Sequence, residues 1–481
     1  MLKNSFLDKV FIDLFNQREE SMHIKIKKGL DIPIIGKPEG SIQKLQPSGQ
    51  SSTIEHFNHI ALDFSPFDTQ FVLLKKIGDT VSIGEPVAFD KKNDYRKFVS
   101  PASGVIKALH RGLKRRLLTM VIEVKQHEDI FEHPPLNPNH ATKEELLDRL
   151  YEGGAMFFIQ ERPFCLLPSK EKKPSAIFIK ALESAPFVPP AEYQLEGYES
   201  EFKLGLEVLK KLTDGKVHLV RAMNAVHPLL IGQEGITYHT AEGPHPISNP
   251  SLHIQNISPI RSAEDVVWTL NVRDVITVGS LVGKGKYPID RVIGIGGPGI
   301  LEGKRGYFRV REGIPVSALI AGRLIKQPMR LISGDPLMGH KVEPDGFLGI
   351  LDYAFSAIPE NRQREFLHFF RLGLDKYSFS RAYASGHMNP EKTEFDFTTN
   401  MHGEHRAFID STLYQKVQPL RIPTMQLVKA VMAEDFDLAE ELGLLEVAPE
   451  DFALTTFVCP SKIEMVEIIK DGLRKYSKEM S

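Results

Sequence analysis

The stretch whose reading decides the fold runs from Ser175 to Ala222. It opens SAIFIKAL (175–182), continues through YESEFKLGLEVLKKLTDG (198–215) and closes KVHLVRA (216–222). The outer runs are short and mostly apolar, which predicts buried strands. The run between them predicts an amphipathic helix closed by Gly215. Strand, helix and strand at this spacing make a βαβ unit, and a crossover of that length leaves the two strands parallel. A parallel sheet with helices on its faces is the expectation that results.

On the N-terminal side, Thr142-Lys-Glu-Glu145 forms a capping box, opening a helix that runs to Gly153-Gly154. A proline- and histidine-rich connector, HEDIFEHPPLNPNH (127–140), precedes it. Residues 71–112 are short β-rich runs broken by Gly78-Asp79, Gly84, Asp90–Asp94, Ser100–Gly104 and Arg111-Gly112, a pattern that suits a compact β-sandwich. This region resembles the biotinyl/lipoyl-like domain, whose carriers present a modified lysine on a hairpin. Here that turn reads DKKND (90–94), so Lys91 and Lys92 read as solvated turn lysines. At the start of the chain, Leu7, Val10, Phe11, Leu14 and Phe15 fall on one helical stripe, read as a helix covering part of the body or an extended start before Met22, and not as a membrane anchor.

On the C-terminal side, Asp265 to Gly313 reads as alternating strands, with Val266–Val282 as a strand pair. PVSALIAGRL (315–324) reads as a helix and MRLISGDPLMG (329–339) as a further strand, together a small β-grasp module. IPTMQLVKAVMAEDFDLAEELGLLEV (422–447) and SKIEMVEIIKDGLRKYSKEM (461–480) carry helical spacing, and the last helix has its basic residues late, where they oppose the helix dipole. The expected architecture is α+β / α/β multidomain. An extension spans 1–21, a biotinyl/lipoyl-like β domain 22–125, a Rossmann-like βαβ domain 126–256, a β-grasp (ubiquitin-like) domain 257–335, and a mostly helical domain 336–481.

Composition excludes several functions. With 42% hydrophobic residues, 25% charged residues and a net charge of −2, the chain of 481 residues has no electrostatic case for nucleic acid. It contains no uninterrupted apolar run of the roughly 18 residues a spanning helix needs. Its two cysteines, Cys165 and Cys459, cannot supply a disulfide scaffold or a four-cysteine cluster within one chain.

The string GIGGPG (294–299) fits the dinucleotide fingerprint letter for letter. In a working site the glycines open a helix whose free N–H groups hold pyrophosphate. The residues after this string, ILEGKRGYFRVREG, read as a hairpin, and Pro298 removes one donor. The string is therefore expected to be a turn between strands. His239, His245 and His253 are spaced by 6 and 8 residues, which matches neither a helical pair nor a finger loop, so they are expected to bond backbone or to pack rather than hold a metal. His402 and His405 are read the same way. No G-x-S-x-G occurs, and no catalytic residue is assigned.

From Met22 onward the chain resembles the A subunits of the bacterial Na+-translocating NADH:quinone reductases. The match is carried by IKIKKGLDIPIIGKP, the turn Phe89–Asn93, SPASGVIKALHRGLKRRL, ERPF (161–164), GPHPISNPSLHI (243–254), VWTLNVRDVITVG (267–279) and EVAPEDFALTTFVCPSK (446–462). The resemblance implies a peripheral subunit on the cytoplasmic face of the inner membrane, in a six-subunit complex that oxidises NADH, reduces ubiquinone and exports Na+. It implies that FAD, FMN, riboflavin and iron centres belong to other subunits, none of them bound here, and that the chief partner is the membrane-embedded B subunit. Distant relatives, the flavin subunit of respiratory complex I and a subunit of the Rnf complex, cradle flavin phosphate with G-x-G-G-A-x-F-P and ligate a cluster with C-terminal cysteines. This chain keeps only Gly153-Gly154-Ala155 followed by Met156, Phe157 and Phe158, and one cysteine in FVCPSK (457–462). Both departures predict a scaffold emptied of its redox groups. For a quinone headgroup, which takes aromatic walls and a few polar partners, the candidates are Phe64 and Phe67 in ALDFSPFD (61–68) and Phe131 and His133 in IFEHPP (130–135). The competing expectation is an assembly subunit with no quinone of its own.

Overall fold

The computed structural model describes residues 21–45, 57–362, 366–367, 370–388 and 394–480. The stripe of Leu7, Val10, Phe11, Leu14 and Phe15 lies outside the described residues.

The βαβ unit forms as its residues dictate. Ala176–Ala181 and Lys216–Ala222 pair in parallel, and Glu199–Leu212 crosses between them. The helix buries Phe202, Leu206, Leu209 and Leu212, carries Glu199 and Glu201 in its first turn and Lys210 and Lys211 in its last, and ends at Leu212. Around this unit the sheet runs His23–Lys25, Thr237–Glu242, Lys216–Ala222, Ala176–Ala181, Val267–Asn271 and Gln160–Arg162. All neighbours are parallel except the last pair. One face packs Ile177, Ile179, Leu219, Trp268 and Leu270 under the helices Lys143–Glu152, Glu199–Leu212 and Val272–Gly283. The other face, with Phe178, Val220 and Val267, packs on Pro250–Ile257 and the C-terminal helices Thr424–Met432, Ala453–Val458 and Met465–Glu479.

Val266–Val282 is not a strand pair. Val267–Asn271 is a strand, and Val272–Gly283 is a helix capped by a reciprocal pair: the Asp274 N–H donates to Asn271 Oδ1 (3.1 Å) and the Asn271 N–H to Asp274 Oδ2 (2.8 Å). Every residue from Val272 to Val282 is buried, so no polar stripe betrays the helical period. Its Val, Ile and Thr content leans toward β besides. Two glycines let this helix touch its neighbour backbone to backbone. A Cβ on Gly205 would lie 2.1 Å from the Val275 carbonyl oxygen, and one on Gly279 1.8 Å from the Glu201 carbonyl oxygen.

A second sheet runs His340–Val342, Met329–Ser333, Ala354–Pro359, Asp290–Gly296, Gly306–Arg311 and Ile42–Lys44. The sheets therefore cut across the expected spans. Val267–Gly283 belongs to the parallel layer, two strands of the second sheet lie beyond residue 335, and the N-terminal segment contributes one strand to each sheet. GIGGPG ends one strand and turns toward the antiparallel Gly306–Arg311. Its glycines are needed because other backbones press on them: a Cβ on Gly294 would meet the Phe187 carbonyl at 1.8 Å, and Gly297, at φ +107°, abuts Ala357.

The β-rich region forms a four-stranded sheet (His59–Asp63, Leu117–Val124, Gly104–Arg111, Thr80–Val81) and a three-stranded one (Phe71–Leu73, Pro86–Asp90, Lys97–Val99). Lys91 and Lys92 are exposed in their turn, which is held by Arg96 pairing with Asp90 at 2.9 Å. No helix among the described residues is long and apolar enough to cross a membrane.

Gly279→Ala gains roughly 1 kcal/mol of helix propensity. Because the methyl would enter the Glu201 backbone, the net effect is expected to be a loss of about 1–3 kcal/mol, read as a fall in melting temperature. A melting temperature equal to or above the parent's would contradict the backbone contact.

Candidate functional site

In a parallel sheet, ligands settle outside the carboxyl ends of the strands where the chain order reverses. Here the reversal lies at Ala176–Ala181: the chain leaves it toward Lys216–Ala222 and returns on its other side as Val267–Asn271. A crevice stands at that point, lined by Glu183, Val188, Gln194, Asn271, Val272 and Tyr353.

The chain's own groups fill it. Lys180 Nζ bonds Glu183 Oε2 at 2.9 Å, Asn271 Nδ2 donates to Tyr353 Oη at 3.2 Å, and Gln194 bonds both polar atoms of the Val292 backbone. Burial raises the Glu183 carboxyl, Lys180 opposing, and pushes Asp274 up to about 7. The space left is about 10 Å³, at the lower edge of what one water needs, about 10–15 Å³. On its rim the GPHPISNP loop closes in: His245 Nδ1 lies 2.9 Å from Ser184 Oγ, which lies 2.7 Å from Ser248 Oγ. Burial lowers His245 to about 4, so it is neutral at physiological pH.

The histidines singled out from the sequence are not brought together as one ligand set. His239 Nδ1 accepts from the Met22 N–H at 3.0 Å, so its Nε2 donates to His218 Nδ1, also at 3.0 Å. His253 Nε2 donates to the Ile247 carbonyl at 2.8 Å. Cys459 is buried against Tyr414 Oη (3.1 Å), and burial pushes the Cys165 thiol up to about 12. His402 lies 3.3 Å from Tyr383 Oη.

The glycine remnant at 153–158 is likewise packed. After Gly154 at φ +79°, a turn of 3₁₀ helix buries Ala155, Met156 and Phe157. The Phe157 ring sits in a cluster with Phe67 (5.2 Å between centroids) and Phe98, and Phe64 lies 5.1 Å from Phe98. Phe64 and Phe67 are buried in a core shared by the β-rich region and the second sheet, which Phe157 also joins. Beside them a cavity of about 10 Å³ is lined by Phe98, Gly154, Phe157 and Tyr287. Gly154 itself is crowded by Val99, whose Cγ2 lies 3.0 Å from where a Cβ would stand, which leaves little room for a phosphate at this turn.

Phe131 and His133 form a separate pair with rings 5.1 Å apart. The Phe131 N–H donates to the Ile83 carbonyl and the His133 N–H to Gly285, so the pair straps the β-rich region to the α/β layer. Phe131 stays 39% exposed, while His133 Nε2 is buried without a hydrogen-bond partner and burial lowers its pKa. Tyr287, beside Gly84 and the Phe131 carbonyl, stands between the two aromatic groups.

Sequence reasoning missed Glu183, Asn271 and Tyr353. The first two stand at the carboxyl ends of neighbouring parallel strands, a signal hidden once Val272–Gly283 is taken for a strand.

Family models match in chain order: the NqrA N-terminal barrel-sandwich hybrid domain over residues 24–125, the NqrA second alpha/beta domain over 141–287 and the NQRA C-terminal domain over 292–343. Among similar proteins, the A subunit of the Na(+)-translocating NADH-quinone reductase of Chlamydia caviae is 35% identical over 470 residues, covering 95% of this chain and 97% of that one. The same subunit of Saccharophagus degradans is 33% identical over 459 residues, covering 95% and 100%. That of Rhodopirellula baltica is 35% identical over 465 residues, covering 95% and 98%.

A carboxyl raised from 3.8 to about 7 holds its proton more tightly in the folded chain. The stability this group contributes therefore falls as pH rises between those values and levels off above them. Asp274→Asn keeps an acceptor for the Asn271 N–H and removes the titration. Its melting temperature relative to the parent should improve between about pH 5 and about pH 8; a difference flat across that range would refute the raised value.

Proposed function

The chain belongs to the NqrA family, the A subunits of the Na+-translocating NADH-quinone reductases, and from that premise we propose that it serves its complex as a cofactor-free, peripheral subunit. It sits on the cytoplasmic face and supports quinone reduction coupled to Na+ export by docking on the membrane subunits, chiefly the B subunit. The observation that carries this reading is the filling of the ground where such a scaffold holds a nucleotide: Gln194, Asn271 and Tyr353 close the crevice, and Phe157 closes the glycine turn. Electron carriers then belong to the other subunits, and this chain acts through its surfaces.

Its contribution to a quinone site falls to the exposed Phe131 with His133, backed by the core of Phe64 and Phe67. The burial of that core favours a second reading, an assembly subunit that binds no quinone by itself.

Two measurements separate these. The purified chain should lack the visible absorption of flavin; a stoichiometric flavin band would overturn the cofactor-free reading. Calorimetric titration with a soluble ubiquinone analogue, in the presence of the membrane subunits, should show Phe131→Ala binding about tenfold more weakly, the equivalent of about 1.4 kcal/mol. Unchanged affinity would leave the assembly reading standing and remove Phe131 from the quinone site.

A further inference from the structure

Cations with no carboxylate to meet gather on one hairpin of the β-rich region. Gly104–Arg111 and Leu117–Val124 pair antiparallel, with Arg111 opposite Leu117, and the chain turns between them at residues 112–116. From residue 95 to residue 122 the sequence holds no Asp or Glu. Arg111, Lys114, Arg115 and Arg116 are all exposed, and among the described residues none of the four has an ion-pair partner. The nearest acids are taken: Glu123, at the hairpin's base, pairs with Lys107 at 2.8 Å, and Asp68, in the loop beside the turn, with Arg474 at 3.4 Å. At the apex stands Leu113, 93% exposed, the most exposed large apolar side chain among the described residues.

The turn is braced. The Arg116 N–H donates to the Leu113 carbonyl at 3.1 Å and the Gly112 N–H to the Arg116 carbonyl at 2.8 Å. Arg116 Nη2 donates to the Ser65 and Phe67 carbonyls, and Arg111 Nη1 to the Arg115 carbonyl at 3.0 Å. Lys114 and Arg115 lie at φ +54° and +60°, the left-handed pair of a tight hairpin turn, which Asn-Gly adopts with little strain. Two long side chains there strain the backbone, as happens at sites whose residues are fixed by function. What the strain delivers is two cations next to an apolar apex.

A specific protein contact takes about 800 Å² from each side, more than a turn of five residues presents. A lone leucine ringed by cations matches instead a layer with phosphates at its face and hydrocarbon beneath. We propose that this turn is a lipid-contact site: Leu113 enters the headgroup layer of an anionic membrane surface, and Arg111, Lys114 and Arg115 meet its phosphates. This deepens the peripheral reading above and rests on it, adding lipid to the protein partners.

The test is sedimentation of the full chain with vesicles of phosphatidylcholine alone or mixed with phosphatidylglycerol. The parent should prefer the anionic vesicles, and raised salt should weaken that binding. Lys114→Gln with Arg115→Gln should lower partitioning about thirtyfold, at roughly fivefold per cation, and Leu113→Ser about tenfold. Lys114→Asn with Arg115→Gly separates lipid contact from folding: this pair suits the turn, so the variant should melt no lower than the parent while losing as much binding as the glutamine pair. Leu113→Trp supplies an independent readout, a blue shift of its added fluorescence on anionic vesicles. Equal partitioning of the parent and the glutamine pair, or no shift at the introduced Trp, overturns the proposal. A parent that assembles with the membrane subunits yet ignores both kinds of vesicle also overturns it and leaves the peripheral reading intact. A parent that binds anionic vesicles but not the membrane subunits upholds the lipid contact and removes the docking reading.

Discussion

The structure depends on two helices touching without side chains between them. Glu199–Leu212 and Val272–Gly283 cross where Gly205 and Gly279 each lie against the other's backbone. Moving the axes apart by one methyl would lift the second helix from the sheet. That helix begins at Asn271, the last residue of a central strand, so its depth fixes the cap and Asp274 beneath it. The crevice at the strand ends is closed because this crossing is tight.

A second set of close approaches joins the two sheets. The backbone at Phe187, in the loop that leaves Ala176–Ala181, reaches Gly294, while Gly36 of the N-terminal segment reaches Gly297. Glycine there serves packing: three chain segments meet at separations no Cβ would allow. The same N-terminal segment adds a strand to each sheet, so the layers are tied by covalent chain and by hydrogen bonds.

What could be read in the sequence was what local chemistry settles. The three elements of the unit at 175–222, the cap at Thr142 and the C-terminal helices each rest on a pattern local to one element. The turn at GIGGPG was legible for the same reason, because the residues just after it cannot open a helix. Val272–Gly283 was not, since full burial erased its polar face. The pairing of three-residue strands such as His23–Lys25 with Thr237–Glu242 joins segments more than 200 residues apart and leaves no local trace. Of the candidate site, the aromatic identity of Phe64 and Phe67 was visible and their depth was not. Asn271 and Tyr353 meet across 82 residues, a contact only the fold supplies.

The two closed positions, the crevice at the strand ends and the turn after Gly154, are filled in different ways. A void lined by these elements would forfeit dispersion contacts on every wall, so side chains that fill it add to stability. Phe157 does this with apolar volume, joining Phe67 and Phe98 in one core. At the strand ends the filling is polar, and its groups bond one another: Lys180 with Glu183, Asn271 with Tyr353 and with the Asp274 backbone. Separating Lys180 from Glu183 would leave a buried carboxyl without its cation.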